Sequence, residues 1–324
     1  MTIRASFEIG DTVVTPGKAA HVQLPVSQLI TGAEISMPVT VLHGKTDGPT
    51  VWMNASVHGD EMNGVEIVNR VVADLDPKEM SGTLLAIPVV NVLGFMNGDR
   101  YLPDRRDLNR SFPGSAKGSL AARLAHIFMT EIVQRCEIGI DLHTASDNRT
   151  NLPQIRANLD DPRTLELATV FGAPLMMHAK AASGTLRSAA TKGGATVLLY
   201  EAGEALRFNK RAIINGVNGV RRVLRHLEMT EWEGPERHTT EVSRSSRWMR
   251  ASKSGVLRLE VGLGDEVTER QVLGTIIDAF GSKLATVKST RHGIVIGRTL
   301  YPLCNKGDAL VHVATLESSN AALS

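Results

Sequence analysis

From about residue 50 onward, the chain alternates between short apolar runs and longer segments whose apolar residues recur with helical spacing. Strands are predicted at 50–57, 83–91, 137–143, 173–178 and 195–203, and helices at 61–75, 119–135, 162–170 and 208–227. Strands that are apolar along their whole length are buried on both faces, and a helix between successive strands allows parallel pairing. The pattern therefore predicts an α/β domain with a mixed, mostly parallel sheet and helices on both faces.

The pattern changes toward both ends of the chain. Residues 1–48 carry apolar runs separated by Gly and Pro, which predicts a β-rich lead-in to a large domain spanning residues 1–235. Residues 236–248 are polar and rich in Ser and Thr, and are predicted to be a linker. Residues 249–318 contain only short strand-like runs with a weak internal repeat, which predicts a small all-β sandwich with pseudo-twofold symmetry.

Charge and cysteine content narrow the class of protein. The chain carries 36 Lys and Arg against 34 Asp and Glu, so its net charge of +2 offers no basic field for nucleic acid or an anionic membrane. Cys136 and Cys304 are far apart in apolar surroundings, which is typical of a reducing compartment without disulfides. The chain begins without an apolar signal segment and has no run of roughly 18 apolar residues. We expect a cytoplasmic, soluble protein.

Two strand ends carry candidate metal ligands. The sequence VHGDEMNG places His58 and Glu61 three residues apart, just after the first of the predicted apolar strands. A second histidine, His143, closes the strand at 137–143, with Asp141 on the same side of that strand. Open α/β sheets have their sites beyond the carboxyl ends of the strands, and two imidazoles with one carboxylate match catalytic zinc sites. The alternative is a helix-capping histidine and a hydrogen-bonded core histidine.

Two further groups of polar residues are candidates for substrate binding and catalysis. In DLNRSFPG, Asn109 and Arg110 precede a turn, and a guanidinium beside an amide is a good receptor for a carboxylate. In LLYEAGE, Glu201 directly follows an apolar strand and is favoured over Glu204 as a general base. The alternative for each of these side chains is an ordinary salt bridge or a helix cap.

The motifs VHGDEMNG, DLNRSFPG, DLHTAS and YEAGE, in this order, resemble those of the succinylglutamate desuccinylase/aspartoacylase family, a branch of the zinc carboxypeptidase superfamily. The motifs cover residues 50–205, and the flanking elements extend the resemblance to about residue 228. The resemblance implies a zinc-carboxypeptidase-like fold and one Zn²⁺ per chain, bound by His58, Glu61 and His143.

The resemblance also implies catalytic and substrate-binding roles. Glu201 matches the family residue that activates the attacking water and then protonates the leaving amine. Asn109 and Arg110 match the pair that holds a substrate carboxylate. These roles agree with the properties of the same side chains considered without the family.

Further arginines match the family at positions where the spacing differs. Arg100 resembles the arginine that polarises the scissile carbonyl. Because the segment that follows it is longer here, Arg105 or Arg106 could take that part instead. Arg187 is similar to a further arginine that binds a substrate carboxylate.

The C-terminal segment resembles the barrel-sandwich hybrid fold of biotinyl and lipoyl carrier modules, through GDEVTERQVLGTI and its echo NKGDALVHV. The carrier lysine is missing from the expected hairpin, because Lys283 is displaced from its tip. We interpret this segment as structural, either as a wall of the cleft or as an oligomer contact. Tyr301 is a candidate for a substrate contact, by analogy with a C-terminal tyrosine of aspartoacylase.

Together these features predict a zinc-dependent hydrolase that cleaves the amide bond of a small-molecule N-acyl amino acid or a related amide. Two alternatives stay open: a metallocarboxypeptidase acting on peptide C-termini, and a non-enzymatic zinc-stabilised binding module. Specificity is expected from the long polar segment 144–162, where Arg149 and Arg156 could meet an anionic group. A homo-oligomer is expected, since most soluble enzymes of this size form one.

Overall fold

The computed structural model describes residues 4–146, 148–235 and 239–317. Its helices are α1 (Asn63–Ala73), α2 (Val92–Asn97), α3 (Leu120–Glu131), α4 (Pro162–Phe171), α5 (Leu186–Lys192) and α6 (Lys210–His226), with 3₁₀ turns at Leu108–Arg110 and Val133–Arg135. The first strands are β1 (Phe7–Ile9), β2 (Thr12–Val14), β3 (Lys18–Gln28), β4 (Glu34–His43), β5 (Thr46–Ala55), β6 (Ser81–Ile87), β7 (Ile138–Ala145), β8 (Arg149–Ala157), β9 (Leu175–His178) and β10 (Thr196–Glu204). The remaining strands are β11 (Glu241–Ser243), β12 (Ser245–Arg250), β13 (Gly255–Leu259), β14 (Glu266–Val267), β15 (Val272–Ile277), β16 (Lys283–Lys288), β17 (Gly293–Thr299), β18 (Leu303–Cys304) and β19 (Ala309–Thr315).

The centre of the main sheet consists of four parallel strands in the order β6-β5-β7-β10. On one side of this centre, β4 and β3 pair antiparallel; on the other, β8, β17, β19 and β12 do so. The prediction of a mixed sheet is confirmed, whereas parallel pairing is confined to the centre and to the short strands β9 and β11 beside β8. The sheet is not mostly parallel because β8, from the middle of the chain, and strands from both ends of the chain extend the centre by antiparallel pairing.

The apolar central strands fill two cores, one on each face of the sheet. Successive residues of a strand point to opposite faces. In β5, Val51 and Met53 therefore face one core, while Trp52 faces the other. Helices α1, α4 and α6 cover the first core, and α3 and α5 cover the second. The predicted helices on both faces are confirmed.

Local signals fix the ends of the helices. Ser119 and Asn209 accept hydrogen bonds from backbone N–H groups in the first turns of α3 and α6. Asp161 caps α4 just before Pro162, and the helix ends at Gly172, whose φ is 69°. The elements predicted between residues 50 and 227 are all present, with their ends shifted by a few residues. In the part of the chain that the structure describes, no helix combines the length and the apolar character needed to cross a membrane.

Three elements of the large domain are absent from the sequence-based prediction. Helices α2 and α5 span only 6 and 7 residues, which is too short for a helical period to stand out. Strand β8 lies in the polar segment to which no element was assigned. It is nevertheless buried along most of its length, because it is enclosed between β10 on one edge and β17 and β9 on the other.

The C-terminal strands form two sheets around a common core. Strands β13, β15, β16 and β18 make a separate four-stranded sheet, whereas β12, β14, β17 and β19 belong to the main sheet. Leu273 and Ile276 of the first sheet pack with Val295, Leu310 and Val313 of the second. The all-β character of this segment is confirmed over the described residues. We call strands β12–β19 the C-terminal β unit; its resemblance to a barrel-sandwich fold and its boundaries stay predictions.

The predicted linker is largely structured where it is described. Residues 236–238 lie outside the described part of the chain. From Glu241 onward, β11 pairs in parallel with β9, and β12 pairs with β19. The polar side chains that suggested a linker lie on β11 and β12, whose backbones pair with β9 and β19 and whose Val242 and Met249 pack against the apolar cores.

Candidate metal centre and catalytic cleft

The predicted site residues gather at the carboxyl ends of the central parallel strands. His58 and Glu61 follow β5, and His143 lies near the end of β7. Glu201 in β10 is directly beside His143 in the register of the two strands. Parallel strands that end at one edge of a sheet bring residues from distant parts of the chain together, and this edge is the place where open α/β sheets bind ligands.

The loop that carries His58 has a fixed backbone. Ser56 has a φ of 53°, in the left-handed region, and its hydroxyl donates to the carbonyl oxygen of His58 at 3.2 Å. A Cβ atom on Gly59 would lie 2.0 Å from the carbonyl carbon of Gly94 in α2. Only glycine allows this close approach, so the loop is held against α2 directly after His58, the first candidate ligand.

His58, Glu61 and His143 form a compact buried cluster. One potential ligand atom from each residue lies within 4.8 Å of the others. Oε1 of Glu61 lies 2.8 Å from Nδ1 of His58, and Oε2 of Glu61 lies 2.8 Å from Nδ1 of His143. Both imidazoles thus present the same ring nitrogen to one carboxylate. The three residues could hold a metal ion, and this donor set is one that zinc accepts.

The second ring nitrogen of each histidine faces a carboxylate. Nε2 of His58 lies 3.2 Å from Oδ1 of Asp107. Nε2 of His143 lies 3.0 Å from Oδ2 of Asp141, which is the contact predicted from strand alternation. Carboxylates in these positions select the tautomer of a metal-binding histidine and fix the orientation of its ring.

Asp141 is itself oriented from the neighbouring strand. Its Oδ1 accepts a hydrogen bond of 2.7 Å from the side-chain amide of Asn54. The amide oxygen of Asn54 in turn accepts one of 2.9 Å from the indole N–H of Trp52. All three residues are fully buried. Because hydrogen bonds are strong in such a low-dielectric interior, this chain fixes the orientation of Asp141, whose Oδ2 lies beside Nε2 of His143.

Charges within the cluster shift pKa values in opposite directions. Burial by itself would raise the pKa of Glu61, but the imidazoles of His58 and His143 hold it well below its usual range. Burial would lower the pKa of His143, but the carboxylates of Asp141 and Glu61 raise it well above its usual value. Glu61 is therefore an anion under ordinary conditions, which is the form that binds a cation.

Of the three arginines considered for carbonyl polarisation, Arg100 is the one at the cluster. Its Nη2 donates to Oδ2 of Asp107 at 3.0 Å, and its Nη1 lies 3.5 Å from Oε1 of Glu61. Arg105 and Arg106 are exposed and lie outside the lining of the cleft formed by the described residues. This placement favours Arg100.

Asn109 and Arg110 lie in the 3₁₀ turn that follows Asp107. The side-chain oxygen of Asn109 accepts a hydrogen bond of 2.9 Å from the backbone N–H of Leu186, the first residue of α5. This bond ties the turn to α5 across the cleft. Nη1 of Arg110 donates to the carbonyl oxygen of Asn109 at 2.7 Å. Within the described ranges Arg110 makes no ion pair, which leaves its guanidinium able to bind an anion.

Glu201 lies in the wall of the cleft next to the cluster. Its Oε1 accepts a hydrogen bond of 3.0 Å from the side-chain amide of Asn151, and its Oε2 lies 3.6 Å from Nη1 of Arg156. Glu204 instead accepts a hydrogen bond of 2.8 Å from the hydroxyl of Thr150, and it does not belong to the described lining of the cleft. The placement agrees with the preference for Glu201 over Glu204.

The cleft has a volume of about 350 Å³, and its walls carry more basic than acidic side chains. Basic side chains are contributed by Arg100, Arg110, Arg156, Lys180 and Arg187. The carboxylates of Glu61, Asp141 and Glu201 also line the cleft, but the basic side chains outnumber them, and an excess of positive charge attracts anionic ligands. The cleft is therefore suited to an anionic substrate.

Arg187 occupies the border between this cleft and a second cavity of about 350 Å³. Its Nη1 donates to the backbone carbonyl oxygen of Arg156 at 2.9 Å. Burial lowers its pKa from the usual value, an effect that the charge of Asp141 partly offsets. No carboxylate of the described residues forms an ion pair with it, so a substrate carboxylate would find a cation there.

Two other candidates lie outside the cleft. The guanidinium of Arg149 lies 5.5 Å from the centre of a Trp248 ring. Tyr301 is 52% exposed and lines a groove on the C-terminal β unit together with Leu259 and Pro302. Neither residue is placed for the substrate contact suggested by the sequence, whereas Arg156 is.

Asp107 and Asn151 are site residues that the sequence-based reasoning missed. Asp107 lies within the DLNRSFPG motif, so its position was visible even though no role was assigned to it. Asn151 carries no such signal, because its contact with Glu201 depends on the register of β8 and β10.

Comparison with known proteins is consistent with this geometry. A model of the succinylglutamate desuccinylase/aspartoacylase catalytic domain matches residues 47–227. The N-alpha-acetyl-L-2,4-diaminobutyric acid deacetylase of Halomonas elongata is 28% identical over 300 residues, which cover 88% of this chain and 87% of that protein.

Solved structures extend the similarity over nearly the whole chain. A succinylglutamate desuccinylase/aspartoacylase from Rhodobacter sphaeroides superposes with a TM-score of 0.82 at 28% identity, covering 93% of this chain and 96% of that one. The product-bound structure of the ectoine utilization protein EutE (DoeB) from Ruegeria pomeroyi has a TM-score of 0.83 at 23% identity, covering 92% and 95%. At this lower identity, the second comparison supports the fold alone.

Proposed function

Because the chain belongs to the succinylglutamate desuccinylase/aspartoacylase family, we propose that it is a zinc-dependent deacylase that hydrolyses the amide bond of an N-acyl amino acid. The observation that carries this proposal is the buried cluster of His58, Glu61 and His143, with Glu201 in the same cleft. The Halomonas elongata relative is a deacetylase of an N-acetylated amino acid, which supports the reaction type.

His58, Glu61 and His143 would hold the zinc ion, since two imidazoles and a carboxylate form a common catalytic ligand set. Zinc in such a site supplies a Lewis acid and lowers the pKa of a water molecule to about 7. Asp107 and Asp141 would keep the two imidazoles oriented through their contacts with Nε2.

Glu201 would act first as general base and then as general acid. Its carboxylate takes a proton from the attacking water and delivers it to the amide nitrogen as the carbon–nitrogen bond breaks. Proton transfer by a positioned side chain contributes about 10²–10⁴-fold to the rate. Its side chain is only 14% exposed, so it is held within the wall of the cleft rather than free in solvent.

Three residues between β6 and α3 would bind the substrate. Arg110 and the side-chain amide of Asn109 would receive the carboxylate of the amino acid, and a guanidinium with charge-assisted hydrogen bonds suits this task. Arg100 would donate to the carbonyl oxygen, where negative charge develops during attack. Removal of one such donor typically costs about 10²–10³-fold in rate.

The test combines metal content with hydrolysis. The purified protein and its His143→Ala variant are analysed for zinc by mass spectrometry. Both are assayed with N-acetyl-L-aspartate, N-succinyl-L-glutamate, N-α-acetyl-L-2,4-diaminobutyrate and a dipeptide. His126→Ala is the matched control, because His126 lies on α3, outside the described lining of the cleft.

We expect about one zinc per chain and hydrolysis of at least one N-acyl amino acid, with both lost in His143→Ala and kept in His126→Ala. Equal zinc in the protein and in His143→Ala would contradict the ligand set. Faster cleavage of the dipeptide than of every N-acyl amino acid would favour the metallocarboxypeptidase instead. Bound zinc without turnover of any compound would favour the binding module.

A further inference from the structure

Both oxygens of the Glu201 carboxylate face side chains of a single strand, β8. The amide of Asn151 donates to Oε1 at 3.0 Å, and Nη1 of Arg156 lies 3.6 Å from Oε2. Asn151 is buried, whereas the side chain of Arg156 is 27% exposed in the cleft. A carboxylate accepts hydrogen bonds only, so the nitrogen of the Asn151 amide must be the atom that faces it. The orientation of this amide thus determines the hydrogen bond to Glu201.

Strand β8 is held in place by the C-terminal β unit. One edge of β8 pairs with β10, and the register shifts between Glu201 and Gly203, near Asn151. The other edge pairs with β17, where Gly297 is directly opposite Asn151. The side-chain amide of Gln154 adds a hydrogen bond of 3.3 Å to the carbonyl oxygen of Ile296 in β17. Asn151 therefore lies between the catalytic strand and a strand of the C-terminal β unit.

Gly297 provides the space that the Asn151 side chain occupies. A Cβ atom on Gly297 would lie 2.6 Å from Oδ1 of Asn151, which is closer than two such atoms can approach. The next nearest atom, Cβ of His312, would be 3.4 Å away, at ordinary contact distance. An added methyl group would therefore displace the end of one side chain rather than the backbone.

From this geometry we propose that Asn151 is a positioning residue for Glu201, and that β17 of the C-terminal β unit keeps it in place through Gly297. The inference rests on the proposed role of Glu201 as the general base. The Asn151 amide fixes Oε1 of the carboxylate, which leaves Oε2, on the side of Arg156, as the oxygen that takes the proton from the attacking water. The C-terminal β unit, interpreted from the sequence as structural, then contributes to catalysis without touching the substrate.

Two substitutions test the proposal from opposite sides of the contact. Asn151→Ala removes the donor, and Gly297→Ala displaces it from a strand outside the large domain. Both proteins, and the double variant, are assayed for kcat and KM with the best N-acyl amino acid of the panel. Zinc content and the thermal unfolding midpoint are measured in parallel. Ile296→Val is the matched control, because Ile296 is the neighbouring β17 residue and packs into an apolar cluster instead.

We expect each single substitution to lower kcat by about tenfold, with KM within about twofold of the parent value, because misplacement of a reacting group affects chemistry more than binding. The double variant should be no slower than Asn151→Ala alone, since both changes remove one interaction. Ile296→Val should lower the unfolding midpoint slightly and leave kcat unchanged. Additive losses in the double variant would overturn the role of Gly297.

Glu201→Gln separates this inference from the proposed function. If Glu201→Gln is inactive while Asn151→Ala and Gly297→Ala keep the parent kcat, the positioning role is wrong and the general base stands. If Glu201→Gln keeps the parent kcat, Glu201 is not the general base and both proposals are wrong. If Asn151→Ala fails to fold, Gly297→Ala decides between the first two outcomes alone.

Discussion

The parallel centre of the sheet and its antiparallel flank contribute to one cleft in different ways. The centre, β6-β5-β7-β10, ends in loops that carry His58, Glu61 and Arg110, each within a short motif. The flank, in which β8 pairs with β17, contributes Asn151 and Arg156 from within a strand. Residues that project from strand ends are recognisable in the sequence. Residues within a strand acquire their contacts only from the register with a distant neighbour.

The largest effect is expected from a change in the packing of the centre. In Gly139→Ala, the new Cβ would lie 2.0 Å from the indole of Trp52, which is fully buried. Because neither strand can move without disturbing both cores, the free energy of unfolding should fall by about 3 kcal/mol, as measured by urea denaturation. Gly193→Ala is the control, since its nearest contact would be 3.3 Å. Equal losses in both variants would show that the centre is not the more tightly packed region.

The second largest effect should appear in substrate binding by the loop that carries the DLNRSFPG motif. Arg110→Met removes a charge-assisted partner for the substrate carboxylate and should lower kcat/KM about 100-fold, mainly through KM. Arg106→Met is the matched control, because that side chain is 63% exposed and lies 3.7 Å from Asp104. Steady-state kinetics of both variants make the comparison. Similar losses of kcat/KM in both variants would show that Arg110 does not bind the substrate carboxylate.

A smaller effect should depend on the charge of the substrate side chain. Arg187→Met should lower kcat/KM about tenfold for N-succinyl-L-glutamate, and by less than about threefold for N-α-acetyl-L-2,4-diaminobutyrate, because only the former has a side-chain carboxylate for the guanidinium. Lys192→Met, on the exposed side of the same helix, is the control. Equal losses for the two substrates would show that Arg187 does not recognise the side chain.

The smallest effect concerns the antiparallel flank of the sheet, where protonation of His312 in β19 makes the free energy of unfolding depend on pH. Burial, with the nearby charges of Arg156 and Arg291, lowers the pKa of His312 to about 3, whereas an unfolded histidine titrates near 6.5. Between these values His312 binds more protons in the unfolded chain, so its contribution to stability falls as the pH drops below about 6.5, by up to about 1.4 kcal/mol per unit. His312→Gln should lose less stability between about pH 6.5 and about pH 5.5.

Urea denaturation at both pH values measures this difference. His21→Gln is the control, since His21 lies on the exposed face of β3. If His312→Gln kept the full pH dependence of the parent protein, the stack of His312 on Trp248 would not be a source of acid sensitivity.

The contrast between the two regions also explains what could be predicted from the sequence. The central strands and their helices were predicted because burial on both faces leaves continuous apolar runs, and the cluster of His58, Glu61 and His143 was predicted because its members follow those runs. Strand β8 was missed because its side chains serve the cleft and the β17 interface, and so leave no apolar run. The cytoplasmic location and the homo-oligomeric state stay predictions.

The pairing of β8 with β17 has a consequence for the newly made polypeptide. Gly297 leaves the ribosome after roughly 150 further residues, so residues 149–151 of β8 wait on the order of ten seconds for their partner at ordinary rates of synthesis, whereas residues 154–157 pair with β9. An exposed strand edge is a template for aggregation, and a charged side chain such as that of Arg149 protects it. The polar side chains that left β8 without a recognisable apolar run would thus keep the incomplete sheet from pairing with another chain before β17 has been synthesised.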